Sequence, residues 1–127
     1  MRQLIFPFQV IEDSGCTFMA RILGTNGVPV VQSVVASIAC KVFSPRTNQS
    51  TPTATPTVVV ADSIFDTLQT DARWTLDVTG YNFAYEMAST TFTTGDTLYR
   101  VEFKFMPTSG DVYYALYEGS AVEVYGS

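Results

Sequence analysis

The sequence predicts an all-β chain folded as an antiparallel β-sandwich, with one short helical turn between strands. Two observations carry this. In Tyr99-Arg100-Val101-Glu102-Phe103-Lys104-Phe105, aromatic and β-branched residues take every second position and all the charges lie between them, which is how a strand with one buried face reads. Along the 127 residues, short β-rich runs recur with turn signals between them, at roughly ten-residue spacing, the pattern of a sandwich of about eight or nine strands.

The elements follow in order. Leu4 to Ile11 is extended in character, and Pro7 restricts it to an edge strand or a bulge, so residues 1–12 read as an edge strand or arm. Asp13-Ser14-Gly15 turns the chain into Cys16–Leu23, with Phe18, Ala20 and Ile22 on one face. Gly24-Thr25-Asn26-Gly27 is a tight turn, because Asn-Gly tolerates positive φ. In Pro29–Phe43 the spacing of Val34, Ala36, Ile38, Cys40 and Val42 fits a strand. A helix would gather Val31, Val34, Val35 and Ile38 instead, and β-branched enrichment decides for the strand. Residues 44–56, rich in Pro, Ser and Thr, form a long exposed loop. Thr57–Ala61 is a short buried strand. Asp62 is an N-cap residue ahead of Ile64, Phe65 and Leu68 at helical spacing, so one or two helical turns bridge the sheets. Arg73–Val78 and Tyr81–Tyr85 alternate as strands, the first with Trp74 and Leu76 to one side. After the 99–106 strand, Val112–Tyr117 returns, Glu118-Gly119-Ser120 turns, and Ala121–Tyr125 closes the chain. The size fits one domain spanning residues 1–127, long enough to bury a core without metals or disulfides.

Composition narrows the function. Charged residues make up 15% of the chain, against roughly 25% in an average soluble domain, which fits large surfaces covered by neighbours. The seven basic residues are scattered singly along a chain of net charge −5, so no basic patch invites nucleic acid. Pro7 and Gln9 interrupt the N-terminal apolar run before it becomes a signal-peptide core, and no run reaches the length of a membrane span. Histidine is absent, which removes the commonest general base and the commonest transition-metal ligand. Asp62, Asp66, Asp71 and Asp77 lack the alternate spacing and glycine of a calcium loop. Glu86 and Glu102 can be nominated as a carboxylate pair, but Glu102 alternates with inward aromatics and points to solvent. Serine and cysteine nucleophiles have no histidine to serve them. The expectation is no enzyme, no cofactor and no metal.

Trp74, Tyr81, Phe83 and Tyr85 offer a stacking platform for sugars, weighed against Trp74 as the core tryptophan of the sandwich. Tyr113, Tyr117 and Tyr125 suit a contact surface, tyrosine being enriched in interfaces. The apolar arm Leu4, Ile5, Phe6 and Phe8 carries only Pro7 as an edge defence. It either joins those tyrosines in subunit contacts or packs on its own domain.

Phe92-Thr93-Thr94-Gly95-Asp96-Thr97-Leu98-Tyr99 resembles the tyrosine corner of immunoglobulin-like and fibronectin-type sandwiches, in which a phenol ties the turn to the following strand. Together with Val60–Asp71, the run Asp77-Val78-Thr79-Gly80-Tyr81-Asn82-Phe83 and the 99–105 strand, it resembles the small immunoglobulin-like domains of tailed-phage virion proteins. That resemblance covers about the last seventy residues and departs over the arm and the 44–56 loop. It implies a non-enzymatic structural protein of a phage-like virion: a capsid decoration, an adaptor, or a baseplate or tail component. Such a protein contacts other virion proteins as a homo-oligomer or symmetric array. It is made in the host cytoplasm without a signal peptide and carried in the virion, with neither nucleic acid nor membrane as partner. The alternative is a carbohydrate-binding module for host attachment, with a glycan as partner.

Cys16 and Cys40 are the two cysteines, and in a reducing cytosol they stay thiols. Titrating the unfolded protein without reductant should find both; finding neither would establish a disulfide.

Overall fold

The computed structural model describes residues 5–24, 26–44 and 51–124. The chain is all-β, with two sheets packed face to face. β1 (Ile5–Ile11), β8 (Tyr113–Val122), β7 (Thr97–Pro107), β3 (Val35–Phe43) and β4 (Thr57–Val58) form one sheet in that order. β2 (Cys16–Ala20), β6 (Tyr81–Met87) and β5 (Ile64–Gln69) form the other. Among the described residues no helix is long and apolar enough to cross a membrane.

β7 follows its sequence pattern residue by residue. Tyr99, Val101, Phe103 and Phe105 are buried, while Arg100, Glu102 and Lys104 alternate outward. Phe18 of β2 and Phe83 of β6 cross the gap to meet Phe103, with ring centroids 5.8 and 5.0 Å away. Phe18, Ala20 and Ile22 are all buried, as their spacing predicts. The hydroxyl of buried Tyr99 accepts the backbone N–H of Thr94 at 3.2 Å, tying the 92–96 turn to β7. Glu12 adds a second tie: its carboxylate accepts the N–H of Gly95 and that of Val124, both at 2.9 Å.

Several expectations are corrected. The sheets are not wholly antiparallel, because β1 runs parallel to β8, Ile5 opposite Leu116 and Ile11 opposite Val122. Pro7 does sit in an edge strand. In β3 a bulge between Val35 and Ser37 reverses the phase, so Val35, Ile38, Cys40 and Val42 point inward while Val34 and Ala36 are exposed. Residues 32–34 form a 3₁₀ turn. The helix is one turn, Val60–Ser63, with Val59 at its N-cap and Asp62 inside it. Ile64–Gln69 is a strand, because Ile64 is fully buried against β6 rather than on a helix face. Residues 73–78 form no strand. Of the 44–56 loop, residues 45–50 lie outside the described residues.

The expected turn at Gly119 is a strand interior. β8 passes straight through it, and Phe8 of β1 lies directly opposite. A Cβ at Gly119 would collide with the Phe8 carbonyl oxygen. Glycine is there so that two backbones can approach.

The thiols of Cys16 and Cys40 are free. Burial raises both above their ordinary value, Cys40 to about 12. A thiol that stays protonated in the fold but ionises in the unfolded chain favours folding below pH 9, and that contribution fades as pH climbs from 9 toward 12.

Gly119→Ala should cost about 1–3 kcal/mol, the usual range for forced overpacking. Amide exchange should quicken along Phe6–Val10 while β2–β6 amides stay protected. Equal quickening in both sheets would refute a local role.

Candidate functional site

The residues between β5 and β6, 70–80, form the longest described stretch without regular structure. Two carboxylates hold it. Asp71 accepts the N–H of Arg73 at 2.8 Å, the Arg73 guanidinium at 2.9 Å and the Tyr81 hydroxyl at 2.6 Å. These bonds, Arg73 first, hold its carboxyl well below the usual range. Asp77 is the second anchor. Its Oδ1 accepts the Trp74 indole N–H and the Thr79 N–H, both at 3.0 Å, and the Gly80 N–H at 3.1 Å. Arg21, at the end of β2, pairs with Asp77 at 2.9 Å and donates to the Gly80 carbonyl at 2.9 Å. The Trp74 bond, then the Gly80 N–H, then Arg21 bring the Asp77 carboxyl down to about 2.

The run Asp77 to Phe83 therefore has a residue-by-residue meaning. Gly80 adopts φ +104°, and a side chain there would meet the Gln69 carbonyl. Tyr81 packs against Phe65 and Trp74, with centroids 5.9 and 5.6 Å away. Asn82 is buried, and its amide takes the Ile22 N–H at 2.7 Å and donates to the Ile22 and Val30 carbonyls at 2.9 and 3.0 Å. That satisfies backbone groups where β2 has ended. Phe83 enters the core.

Trp74 is thus not the core tryptophan. It is half-buried, in the wall of a cleft of about 320 Å³ shared with Phe6, Arg21, Leu76, Tyr113 and Tyr114. A second cleft of about 230 Å³ runs from there between β1 and β2, again bounded by Phe6, Trp74 and Leu76. A third, about 500 Å³, lies between residues 24–34 and 107–113 and shares Tyr113 with the first. Leu76 and Val78 stand out at 65% and 95% exposure, with Leu23, Val28 and Val112 also exposed. Apolar surface runs from this end of the sandwich down its β1–β2 side.

The predicted contact residues divide. Ile5 is exposed. Phe6 packs on Tyr117 at 5.4 Å, and Phe8 on Phe18 and Phe92 at 5.1 and 5.6 Å, so the arm covers its own domain. Tyr113 is half-buried against Phe105 and lines two of the clefts. Tyr117 is corrected: it is a core residue, and its hydroxyl donates to the Met19 carbonyl at 2.7 Å across the sandwich. Burial raises the Tyr117 hydroxyl above its usual value. Leu4 and Tyr125 lie outside the described residues. Tyr114, at 48% exposure, is the outward tyrosine that sequence reasoning missed. Glu118, on the same parity of β8, was the available signal.

Asp62, Asp66, Asp71 and Asp77 are not brought together. Asp66 accepts the Gln32 N–H at 2.8 Å, and among the described residues no group of three or more metal-ligating side chains gathers. Glu102 lies on the outer sheet face bound to Arg100 at 2.7 Å, and Glu86 is exposed on the opposite sheet.

No family model matches the chain, and no curated protein or solved structure matches it either.

A carboxylate with a lowered pKa stabilises its fold above the unfolded value of 3.8 and loses that contribution as pH falls toward the folded value of about 2. Emission of Trp74, the only tryptophan, should therefore shift to longer wavelength between about pH 4 and about pH 2, ahead of core unfolding. Asp77→Asn should show that shift already at pH 7, with core circular dichroism unchanged. Wild-type emission in that variant would remove Asp77 as the anchor.

Proposed function

We propose that the chain is a non-enzymatic structural protein of a phage-like particle, built on an immunoglobulin-like sandwich and acting through protein–protein contacts as a capsid decoration, adaptor, or baseplate or tail component. The observation that carries the reading is the 70–80 loop, fixed by Asp71 and Asp77 while it presents Leu76 and Val78 to solvent. Isolated exposed apolar residues are ordinary, but two strongly exposed ones on a held loop, the first of them bounding clefts with Phe6 and Trp74, point to a contact site. Supporting the fold assignment, the order β1-β8-β7-β3-β4 over β2-β6-β5 follows the immunoglobulin plan, with a G-F-C-C′ sheet over a B-E-D sheet. The Tyr99 hydroxyl on the Thr94 N–H supplies the tyrosine corner of that plan.

One observation favours a second reading, a carbohydrate-binding module for host attachment. Trp74 is in a cleft wall beside Tyr113, Tyr114 and the Arg21–Asp77 pair, an arrangement of aromatic face and polar edge that suits a sugar.

Particles purified from a host expressing the chain with its neighbouring genes should hold it at a fixed, high copy number. Leu76→Asp with Val78→Asp should abolish incorporation without changing the melting temperature. Incorporation of that variant at wild-type occupancy would sink the contact role of the loop. Glycan-array binding lost in Trp74→Ala would instead select the carbohydrate reading.

A further inference from the structure

The outer face of the five-stranded sheet gathers cations that are scattered in sequence. Lys41 of β3 and Arg100 and Lys104 of β7 all point outward, because Cys40, Val42, Val101, Phe103 and Phe105 between and beside them point into the core. Pairing sets Lys41 opposite Glu102, and Lys104 between Ala39 and Tyr114. Arg100 is already neutralised by Glu102 at 2.7 Å and Glu118 at 2.6 Å. Neither Lys41 nor Lys104 has an ion pair among the described residues. The small Ala39 leaves a notch of about 130 Å³ bounded by Lys41, Lys104, Glu102 and Tyr114.

The rest of the surface has the opposite sign. Of twelve acidic residues, ten lie off this face. Against them the described chain sets only Arg21 and Arg73, both paired already with Asp77 and Asp71. Glu86 points outward from the middle strand of the three-stranded sheet, and Asp62 and Asp66 are exposed along its β5 edge, where the short helix joins the sheets.

We propose that the Lys41–Lys104 face docks head to tail on the acidic, three-stranded side of a second copy, with a carboxylate of that copy seated in the notch above Ala39. This deepens the array reading given above by naming the contact, and it rests on that reading only for its setting in a particle. Charge complementarity chooses the occupant. A two-fold contact would set the positive face against itself, and a phosphate backbone would meet Glu102, Glu118 and the acidic surround. Fields between exposed charges fade over about 8 Å at physiological salt, so the local match outweighs the repulsion between two net-negative copies. Contacts of this head-to-tail kind build rows or rings.

Sedimentation of the purified chain at millimolar concentration tests it. Its average mass should rise with concentration in about 0.1 M salt and return to monomer in about 0.5 M, where screening lengths are about 10 and about 4 Å. Lys41→Gln with Lys104→Gln should be monomeric, as should Asp62→Asn with Glu86→Gln, each with wild-type circular dichroism. Mixed, the two variants should form a one-to-one dimer, since one keeps the acidic side and the other keeps the positive face. A wild-type chain that stays monomeric in the lower salt, or variants that fail to pair when mixed, would overturn the proposal. Either result leaves particle incorporation through Leu76 and Val78 to be decided by its own experiment.

Discussion

The contact of Phe103 with Phe18 and Phe83 is the one the rest of the molecule depends on. Two sheets hold together only through what their inner faces share, and Phe103, fully buried near the middle of β7, meets rings from both strands that face it. Its ring meets Phe18 and Phe83 across the gap, and Tyr117 on the neighbouring strand at 5.8 Å. Edge-on and tilted packing suits the aromatic quadrupole, and losing a buried phenylalanine generally costs about 3–5 kcal/mol, a large part of a small domain's stability. Phe18 carries the chain of rings on to Phe8 and Phe92. The arm and the tyrosine-cornered turn are thereby organised around the same contact.

The polar groups are organised by a different rule: each carboxylate that matters collects several donors from a segment with no ladder of its own. Asp71 and Asp77 do this for residues 70–80, and Glu12 for the meeting point of the arm, the 92–96 turn and the end of β8. The buried Asn82 amide serves the same end from inside, accepting one N–H and donating to two carbonyls. Irregular backbone needs such partners because its N–H and C=O groups otherwise go unpaired. The apolar side chains of the loop are left for the surface because the polar ones are spent on holding its shape.

How much was legible in the sequence depends on whether the deciding contact was local. β7 was fully readable, since alternation records which face is buried, and so was the Phe18, Ala20, Ile22 face of β2. Tyr99 was readable because its partner, Thr94, is close in sequence. The place of Trp74 is not legible, because Trp74 and Leu76 mimic a strand's alternation while the capture of Asp77 by Arg21 spans 56 residues. The bulge in β3 shifted its phase without any proline or glycine to announce it. Glu118-Gly119-Ser120 reads as a turn, because a clash with Phe8, far away in the chain, leaves no local mark. The surface cations were counted correctly as isolated in sequence, and only sheet pairing brings Lys41 beside the β7 charges.

The parallel pairing of β1 with β8 has a mechanical consequence. Among the described residues these are the first and last strands, and their directions put the entry to β1 and the exit from β8 at opposite ends of one ladder. Tension applied through the two ends of the chain therefore loads the ladder lengthwise, so its hydrogen bonds bear the strain together instead of peeling one after another. The close seating of Phe8 on Gly119 sits inside that ladder, where sliding of either strand would have to break it first. A chain so arranged resists being pulled apart along its length far better than the modest number of bonds in the pair suggests.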